Sequence, residues 1–356
     1  MSKAADFLAA LRRGATFYRV PFATALLRSL RLYSAGQFSR KEIIGYALFA
    51  PSITEAMPLL ISKEHSLARL ARFNPPERQH LTENKDEFYA ICRSKGLPIP
   101  ETYGWTRDGR RYDGDGRAIE HDADWRNYLS TRLPEQFIRK DKDGAYGSGF
   151  AAYQRRGDRF HIADHPGDLD IVALAAALSP AAADADIVIQ RRVFDDDRLA
   201  ELSGRRGLQT MRVNTLLAAD GNVSILFYMI KILAGRTITD NFSMGTTGNL
   251  IAYGDRDDGV LRGAVNIHQC GSGMTRVAVH PDTGIPFDGF RLPQWAEAID
   301  LARRGQRAFP ELPTLGWDIA LTAGGPLIIE ANARWDPPLY APFLMSDQHW
   351  RQIFGD

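Results

Sequence analysis

The sequence predicts an α+β protein with a helical N-terminal region. Three observations carry that class. Apolar residues recur at three- and four-residue intervals through residues 3–72, the period of one buried helical face. From residue 207 onward the pattern changes to apolar, strand-like runs broken by turn residues. Just before the last of those runs, "LPQWAEAIDLARRGQRAF" (292–309) returns to helical spacing. Helices and mixed antiparallel sheets therefore share one chain of 356 residues.

Taken in order, the chain opens with three helix-like stretches, "AADFLAALRR", "FATALLRSLRLY" and "KEIIGYALFA". "RFNPPERQH" (72–80) reads as a linker, because Asn-Pro-Pro cannot continue a helix. Asn84 is placed to cap a helix over "KDEFYAICRSKG", with Glu87 three residues on and Gly96 closing it. "LPIPETYGW" is extended, as Pro98 and Pro100 demand. Residues 107–121, rich in Gly, Asp and Arg, form an exposed hairpin, and "DADWRNYLST" forms a short helix. "EQFIRK" and "FAAYQRR" are strands joined by the loop "DKDGAYGSG". Residues 168–178 form a helix and "DIVIQRRV" a strand. "GLQTMRVNTLLA" and "VSILFYMIKIL" pair across "ADGN", since Asp-Gly between apolar runs supports a tight turn. The helix of 292–309 is followed by a last hairpin, "LGWDIALTAGGPLIIEANARWD" (315–336). There are no internal repeats.

Hydrophobic residues make up 44% and charged residues 24%, which places the chain among globular rather than disordered proteins. A net charge of +1 gives no global case for nucleic-acid binding, and none is expected. The charge is unevenly placed. Residues 1–80 hold 12 Lys/Arg against 5 Asp/Glu, a net +7 that leaves −6 for the remainder. Such a basic helical arm can face an anionic membrane surface or an acidic partner. A solvated helical face is the simpler reading and is preferred. Cys92 and Cys270 lack CxxC spacing, so two buried thiols in a reducing cytoplasm are expected. The first residues show neither an h-region nor a cleavage site. The most apolar stretch, "IIGYALFAPSITEAMPLLI", is broken by Pro51, Glu55 and Pro58, so no transmembrane helix is expected.

The last hairpin carries chemistry. If its turn centres on Gly324, Trp317 opposes Ala331, Ile319 opposes Ile329 and Leu321 opposes Leu327, giving one apolar face of a half-buried hairpin. Asp318 then opposes Glu330 on the other face, with Asn332 two residues beyond. Two opposed carboxylates repel. Mg²⁺ resolves the conflict, since it takes oxygen ligands from one or two carboxylates plus phosphate oxygens. A solvated acidic edge is the alternative.

Phosphate requires cations elsewhere. In "FIRKDKDGAYGSGF" (137–150), Lys140 ends an apolar strand, and Gly144, Gly147 and Gly149 make a loop whose N–H groups can approach phosphates. No Gly-Lys-Ser/Thr follows, so this is not a P-loop; its plain reading is an exposed turn. Lys85, Arg212 and Arg236 are further cations, each equally readable as a surface residue. Arg212 sits between Met211 and Val213 in a strand and points away from the face they cover.

These pieces stand in one order: Lys85 opening a helix, "GLPIPET", "FIRK" with its glycine loop, "IVIQRRV", "TMRVNT", "DN" and "GWDIALTAGGPLIIEAN". Together they resemble the ATP-grasp superfamily. "HPDTGIPFDGFRLPQW" and "GWDIALTAGGPLIIEANARW" are similar to the C-terminal signature of its sugar-transfer-associated branch. The resemblance covers about residues 78–335. It implies an ATP-grasp fold of two α+β subdomains clamping ATP, placed at 78–340 with lobes of about 78–190 and 191–340. A helical region (1–77) would precede it, and a C-terminal helix or tail (341–356) would follow.

The resemblance also implies a reaction. A substrate carboxylate attacks the γ-phosphate of ATP, and an amine or related nucleophile captures the acylphosphate. The implied substrates are a small-molecule acid and an acceptor, drawn from amino acids or from sugar and polysaccharide precursors. Implied cofactors are ATP and Mg²⁺, with Mn²⁺ as an alternative ion. Lys85 and Lys140 match the phosphate-contacting lysines, and Gly144, Gly147, Ser148 and Gly149 match the flap over the triphosphate. Gln190, Arg191 and Val193 match the hinge that reads adenine through its backbone. Asp318, Glu330 and Asn332 match the metal ligands. Arg212 matches the sheet arginine near the γ-phosphate, and Arg236 with Asn241 a later phosphate-side pair.

The chain departs from the pattern in three places. Asp141 follows Lys140 where Pro is usual, the Asn241 region lacks a Gly-Gly, and the N-terminus is helical where ligases have an α/β pre-domain. A phosphotransferase that stops at phosphorylation, or a nucleotide-binding scaffold in polysaccharide assembly, are the alternative functions.

Overall fold

The structure, a computed structural model, describes residues 3–36, 38–51, 60–142, 149–163, 165–180, 186–338 and 344–355. Its helices are α1 (Lys3–Phe17), α2 (Phe22–Ser34), α3 (Arg40–Gly45), α4 (Lys63–Leu70), α5 (His80–Glu83), α6 (Lys85–Ser94), α7 (Asp122–Arg132), α8 (Ile171–Ala177), α9 (Asp197–Ser203), α10 (Trp295–Ala308) and α11 (Asp347–Phe354). Its strands are β1 (Thr102–Arg107), β2 (Arg110–Asp113), β3 (Gln136–Asp141), β4 (Ala151–Arg156), β5 (Arg159–Ile162), β6 (Asp168–Leu169) and β7 (Ile187–Arg191). They continue with β8 (Thr210–Leu217), β9 (Val223–Ile232), β10 (Leu250–Gly254), β11 (Leu261–Ile267), β12 (Met274–Val277), β13 (Thr314–Thr322) and β14 (Gly325–Asn332). The α+β class and the helical N-terminal region are as expected. The chain divides into two compact units: Met1–Gln79 with Asp195–Pro326 and Glu330–Asp356, and His80–Phe194 with Leu327–Ile329.

The first unit is built on a seven-stranded sheet of order β12-β11-β10-β9-β8-β13-β14. β8 is an interior strand and pairs antiparallel with β9 and with β13. α10 covers one face, where Trp295 faces Tyr228 with ring centroids 6.2 Å apart and Phe309 faces Trp317 at 5.8 Å. On the other face Leu216, Phe227, Met229, Ile251 and Val265 form one core with Leu70 of α4, Trp335, and Trp350 and Phe354 of α11. Strand alternation sends successive side chains to these two cores. As a result Thr314–Leu321 of β13 is buried along its whole length, while β14 is only partly buried, with Leu327, Glu330 and Asn332 at intermediate exposure. The turn itself falls at Ala323–Gly324.

Three local expectations change. The helix over "KEIIGYALFA" shortens to α3, because Ala47 takes a left-handed φ of 49° that an α-helix cannot continue through. Gly45, at its end, presses on the Met244 methyl with no room for a Cβ. The stretch 72–80 is more than a linker. Asn74 is fully buried, and its amide donates to the carbonyls of Thr314 (2.6 Å) and Ala333 (2.7 Å) while accepting from Thr314 N (3.2 Å). Cys270 is half-buried rather than buried.

The second unit has a sheet of order β2-β1-β7-β3-β4-β5-β6. α7 and α8 pack Trp125, Leu129, Leu174 and Leu178 against Phe137, Tyr153, Phe160 and Ile189 on one face. α6 begins where the capping pattern placed it, with the Asn84 side chain accepting from Asp86 N (3.0 Å) and Glu87 N (3.4 Å). Among the described residues no helix is long and apolar enough to cross a membrane.

Candidate functional site

In the first unit, antiparallel pairing sets Asp318 of β13 opposite Arg212 of β8, and Arg212 opposite Met229 of β9. Lys231, two residues beyond Met229, shares that face by strand period. The three charges meet there. Arg212 grips Asp318 with its guanidinium fork, Nε on Oδ1 and Nη2 on Oδ2 at 2.9 Å. Lys231 Nζ donates to Asp318 Oδ2 at 3.0 Å. Asp318 is 1% exposed. Burial alone would raise its pKa, but the Arg212 and Lys231 cations hold its carboxyl far below the usual range. Burial works against both cations as well. Asp318 restores Arg212 to its charged form, and Asp240 with Asp318 does the same for Lys231.

Glu330 on β14 stands near enough to the Asp318 side chain to act on its carboxyl, so the two predicted carboxyls are neighbours. Asn332 donates from Nδ2 to the Gly316 carbonyl at 3.3 Å, which orients its amide. Gly316 pairs with Asn214, and a Cβ at Gly316 would stand 3.0–3.2 Å from Trp335 Cβ, Arg212 Cδ and Asn214 Nδ2. Glycine there lets Arg212 lie flat on β13 and reach Asp318. Asn214 is fully buried, and neither of its amide atoms has a partner among the described residues.

This donor set suits a hard ion that shares its shell with phosphate. Arg212 and Lys231 already offset Asp318, so Glu330 is the carboxyl with charge left for an added cation. An amide oxygen beside the two carboxyls adds a neutral hard ligand. Among the described residues no group of three or more His, Cys, Asp or Glu side chains forms a closed metal cage. A structural zinc site is therefore not what these residues build, whereas one or two carboxylates with further oxygens is the Mg²⁺ habit.

The sequence reading missed Lys231. Its signal was present: one lysine inside the apolar run "LFYMIKIL", where a buried strand carries a charge only beside a partner. The reading also missed Asn249, which organises the loop bearing Arg236 and Asn241. Asn249 is fully buried. Its Oδ1 accepts from Ala234 N (3.2 Å) and Gly235 N (3.0 Å), and its Nδ2 donates to the carbonyls of Thr239 (2.9 Å) and Asn241 (3.0 Å). Arg236 is exposed on that loop.

The other predicted residues lie in the second unit. Lys85 opens α6, and its Nζ donates to the Lys142 carbonyl just past β3 at 2.7 Å. Lys140 sits on β3 opposite Val188 of β7. Gly144, Gly147 and Ser148 fall outside the described residues. Gly149 has φ +65°, and a Cβ there would overlap the Asp141 carboxylate. Gln190 is buried, with Tyr89 OH donating to its Oε1 and its Nε2 reaching Thr102 Oγ1, both at 3.4 Å. Arg191 N donates to Glu101 O (2.9 Å), and its side chain pairs with Glu101 at the surface. Among the described residues Val193 makes no hydrogen bond, which leaves its backbone as the open part of the predicted hinge. A cleft of about 310 Å³ in this unit, lined by Asp86, Arg93, Trp105 and Arg107 among others, contains none of the predicted residues.

Comparison with known proteins follows the same lines. The family described as sugar-transfer associated ATP-grasp matches residues 65–342. No curated protein matches. Among solved structures, an ADP complex of N5-carboxyaminoimidazole ribonucleotide synthetase is similar at 12% identity and a TM-score of 0.39, covering 72% of this chain and 45% of that one. D-alanine–D-alanine ligase from Bacillus anthracis is similar at 10% identity and 0.38, covering 77% and 64%. Biotin carboxylase from Campylobacter jejuni is similar at 12% identity and 0.45, covering 93% and 68%. The chain thus spans less than two thirds of the length of the first two.

Proposed function

Because the chain belongs to the sugar-transfer associated ATP-grasp family, we propose that it is an ATP- and Mg²⁺-dependent ligase that activates a carboxylate and joins it to an amine or related nucleophile. The observation that carries this reading is the meeting of the Asp318 and Glu330 carboxyls beside Arg212 and Lys231.

The proposed reaction balances in two steps. A carboxylate oxygen of the acid attacks the γ-phosphorus, the bond from that phosphorus to the β–γ bridging oxygen breaks, and ADP leaves. The nucleophile then attacks the acyl carbon, the acyl–oxygen bond breaks, inorganic phosphate leaves, and the nucleophile's proton is released. Mg²⁺ bound by Asp318, Glu330 and Asn332 would neutralise phosphate charge as it shifts toward ADP. Arg212 is pinned on Asp318 and so presents a fixed positive charge, of the kind that stabilises developing negative charge without reorganising. Lys231 adds a second fixed cation. Arg236 and Asn241, on the loop stapled by Asn249, are proposed for the phosphate side. Lys85, Lys140 and the 144–149 glycines are proposed for the triphosphate, and the Val193 backbone for adenine.

The family's description favours an acid or acceptor related to sugar transfer, with amino acids as the other class, and we place the reaction in the cytoplasm. The test is a turnover screen against amino acids, uronic acids and amino sugars that reads ADP, free phosphate and product mass together. ADP with equal free phosphate and a condensed product is expected. Phosphate retained on the product would make the protein a phosphotransferase. Mg-ATP binding without turnover across the screen would make it a scaffold. Asp318→Asn with Glu330→Gln should abolish turnover, and full activity in that variant would remove the metal assignment.

A further inference from the structure

Seven large apolar side chains are exposed among the described residues, and five of them, Leu8, Phe17, Leu27, Leu30 and Tyr33, lie on α1 and α2. Scattered exposed leucines are ordinary; this concentration is not. Phe17 is partly accounted for, since its ring centroid lies 3.8 Å from that of His268. α2 is not. Its inner face packs Phe22, Leu26 and Leu32 around the buried Ala25 and Ser29, yet Leu27 and Leu30 point outward at 60% and 50% exposure. Ala23, Leu27, Leu30 and Ser34 follow an i, i+4, i+7, i+11 spacing, so they form one stripe opposite Ala25 and Ser29. An ordinary surface helix carries polar residues on that outer face.

The surroundings of the stripe are basic. Arg31 lies on its flank by helical spacing, and Arg40 and Lys41 open α3 just beyond the end of α2. All three are exposed, and the Arg40 guanidinium stands 5.0 Å from the Tyr33 ring centroid. Arg28 has a structural task, donating to the Phe49 carbonyl at 3.0 Å. α2 has no acidic residue, and residues 1–45 hold eight Lys/Arg against Asp6 and Glu42 alone. An aliphatic stripe edged by tyrosine and cations is the composition of a helix lying in a headgroup boundary.

We infer that the outer face of α2 docks on an anionic lipid bilayer, with Leu27, Leu30 and Tyr33 entering the headgroup boundary and Arg31, Arg40 and Lys41 set against lipid phosphates. This replaces the solvated-face reading of the basic N-terminal arm. Attachment is peripheral, because among the described residues no helix can span the bilayer. It uses none of the residues proposed for catalysis.

The test is co-sedimentation of the full chain with phosphatidylcholine vesicles, with and without phosphatidylglycerol, at low and high salt. Binding to the phosphatidylglycerol vesicles that weakens with salt is expected. Leu27→Glu with Leu30→Glu should reduce partitioning by about tenfold or more, since two half-exposed leucines lose their apolar transfer. Leu27→Ser with Leu30→Ser is the milder second variant and should fall in the same direction. Arg31→Glu with Lys41→Glu should abolish the preference for phosphatidylglycerol. Circular dichroism and Mg-ATP binding confirm that each variant is folded. Failure of the unaltered protein to bind, equal binding to neutral vesicles, or wild-type partitioning by both leucine variants would each overturn the inference. A leucine variant that changes oligomeric state while binding vesicles normally would assign the stripe to a second copy instead.

Discussion

Asp318→Asn leaves Arg212 without its paired anion and Lys231 with Asp240 alone, whether or not a metal binds. Removing one partner from a buried ion pair typically costs about 3–5 kcal/mol, because the charges left behind stay desolvated. Asp318→Asn should lower metal-free stability by that amount in urea denaturation with chelator present. Glu330→Gln strands no cation and relieves a carboxyl–carboxyl contact, so its loss should stay below about 1 kcal/mol. Equal losses in the two variants would mean that Asp318 carries no special structural load. Arg212, Asp318, Glu330 and Asn332 were legible because strand period and two-residue spacing place them on faces without any tertiary knowledge. What the spacing could not supply is the counter-charge. The opposed carboxylates pointed to a metal, yet Asp318 is already offset within the protein by a lysine two strands away in the sheet. Lys231 comes to Asp318 through the β8–β9 and β8–β13 registers, and no local pattern encodes both.

At the scale of elements, local signals placed α6, the β8–β9 hairpin and α10 well, since caps, an Asp-Gly turn and helical period each act within a few residues. α9 also carried readable signals, with Asp196 accepting from Arg198 N (3.0 Å) and Gly204 closing it at φ 70°, but it was not read from the sequence. The shortened α3 was not legible, because no local signal marks Ala47 for a left-handed φ and Met244, which crowds Gly45, lies far along the chain. The same holds for Asn74, whose partners Thr314 and Ala333 are 240 or more residues away. Asn74→Ala should cost about 2–4 kcal/mol, as it leaves buried backbone groups of Thr314 and Ala333 unpaired; a thermal-melt shift indistinguishable from zero would contradict that role.

α11 offers a pH test. Its His349 lies with Nδ1 3.4 Å from Arg256 Nη1, and burial followed by the Arg256 charge lowers its pKa below the usual 6.5. A histidine depressed in the folded state binds fewer protons than in the unfolded chain. Its contribution is therefore full above about pH 6.5 and is lost as pH falls through the folded value. Amide exchange across 347–354 should speed up over that window, and His349→Gln should flatten the profile.

For the molecule as a whole, ligand linkage separates nucleotide binding from chemistry. Anything that binds only the native state stabilises it by an amount set by its concentration over its dissociation constant, about 2.7 kcal/mol at a hundredfold excess. For a chain of this size that is a rise of roughly 3–5 °C in Tm. Mg²⁺ with ATP should produce such a rise, Mg²⁺ alone much less, and ATP with chelator little, because the Asp318–Glu330 pair favours a metal that shares its shell with phosphate. Asp318→Asn should lose the Mg²⁺-dependent part of the rise as well as starting from a lower Tm. The Leu27 and Leu30 variants should keep the full rise, since α2 holds none of the residues proposed for nucleotide or metal. If ATP stabilises equally with and without Mg²⁺, nucleotide binding stands but Asp318, Glu330 and Asn332 are not its metal ligands. If neither stabilises, the absence of nucleotide binding removes the ligase, the phosphotransferase and the nucleotide scaffold together.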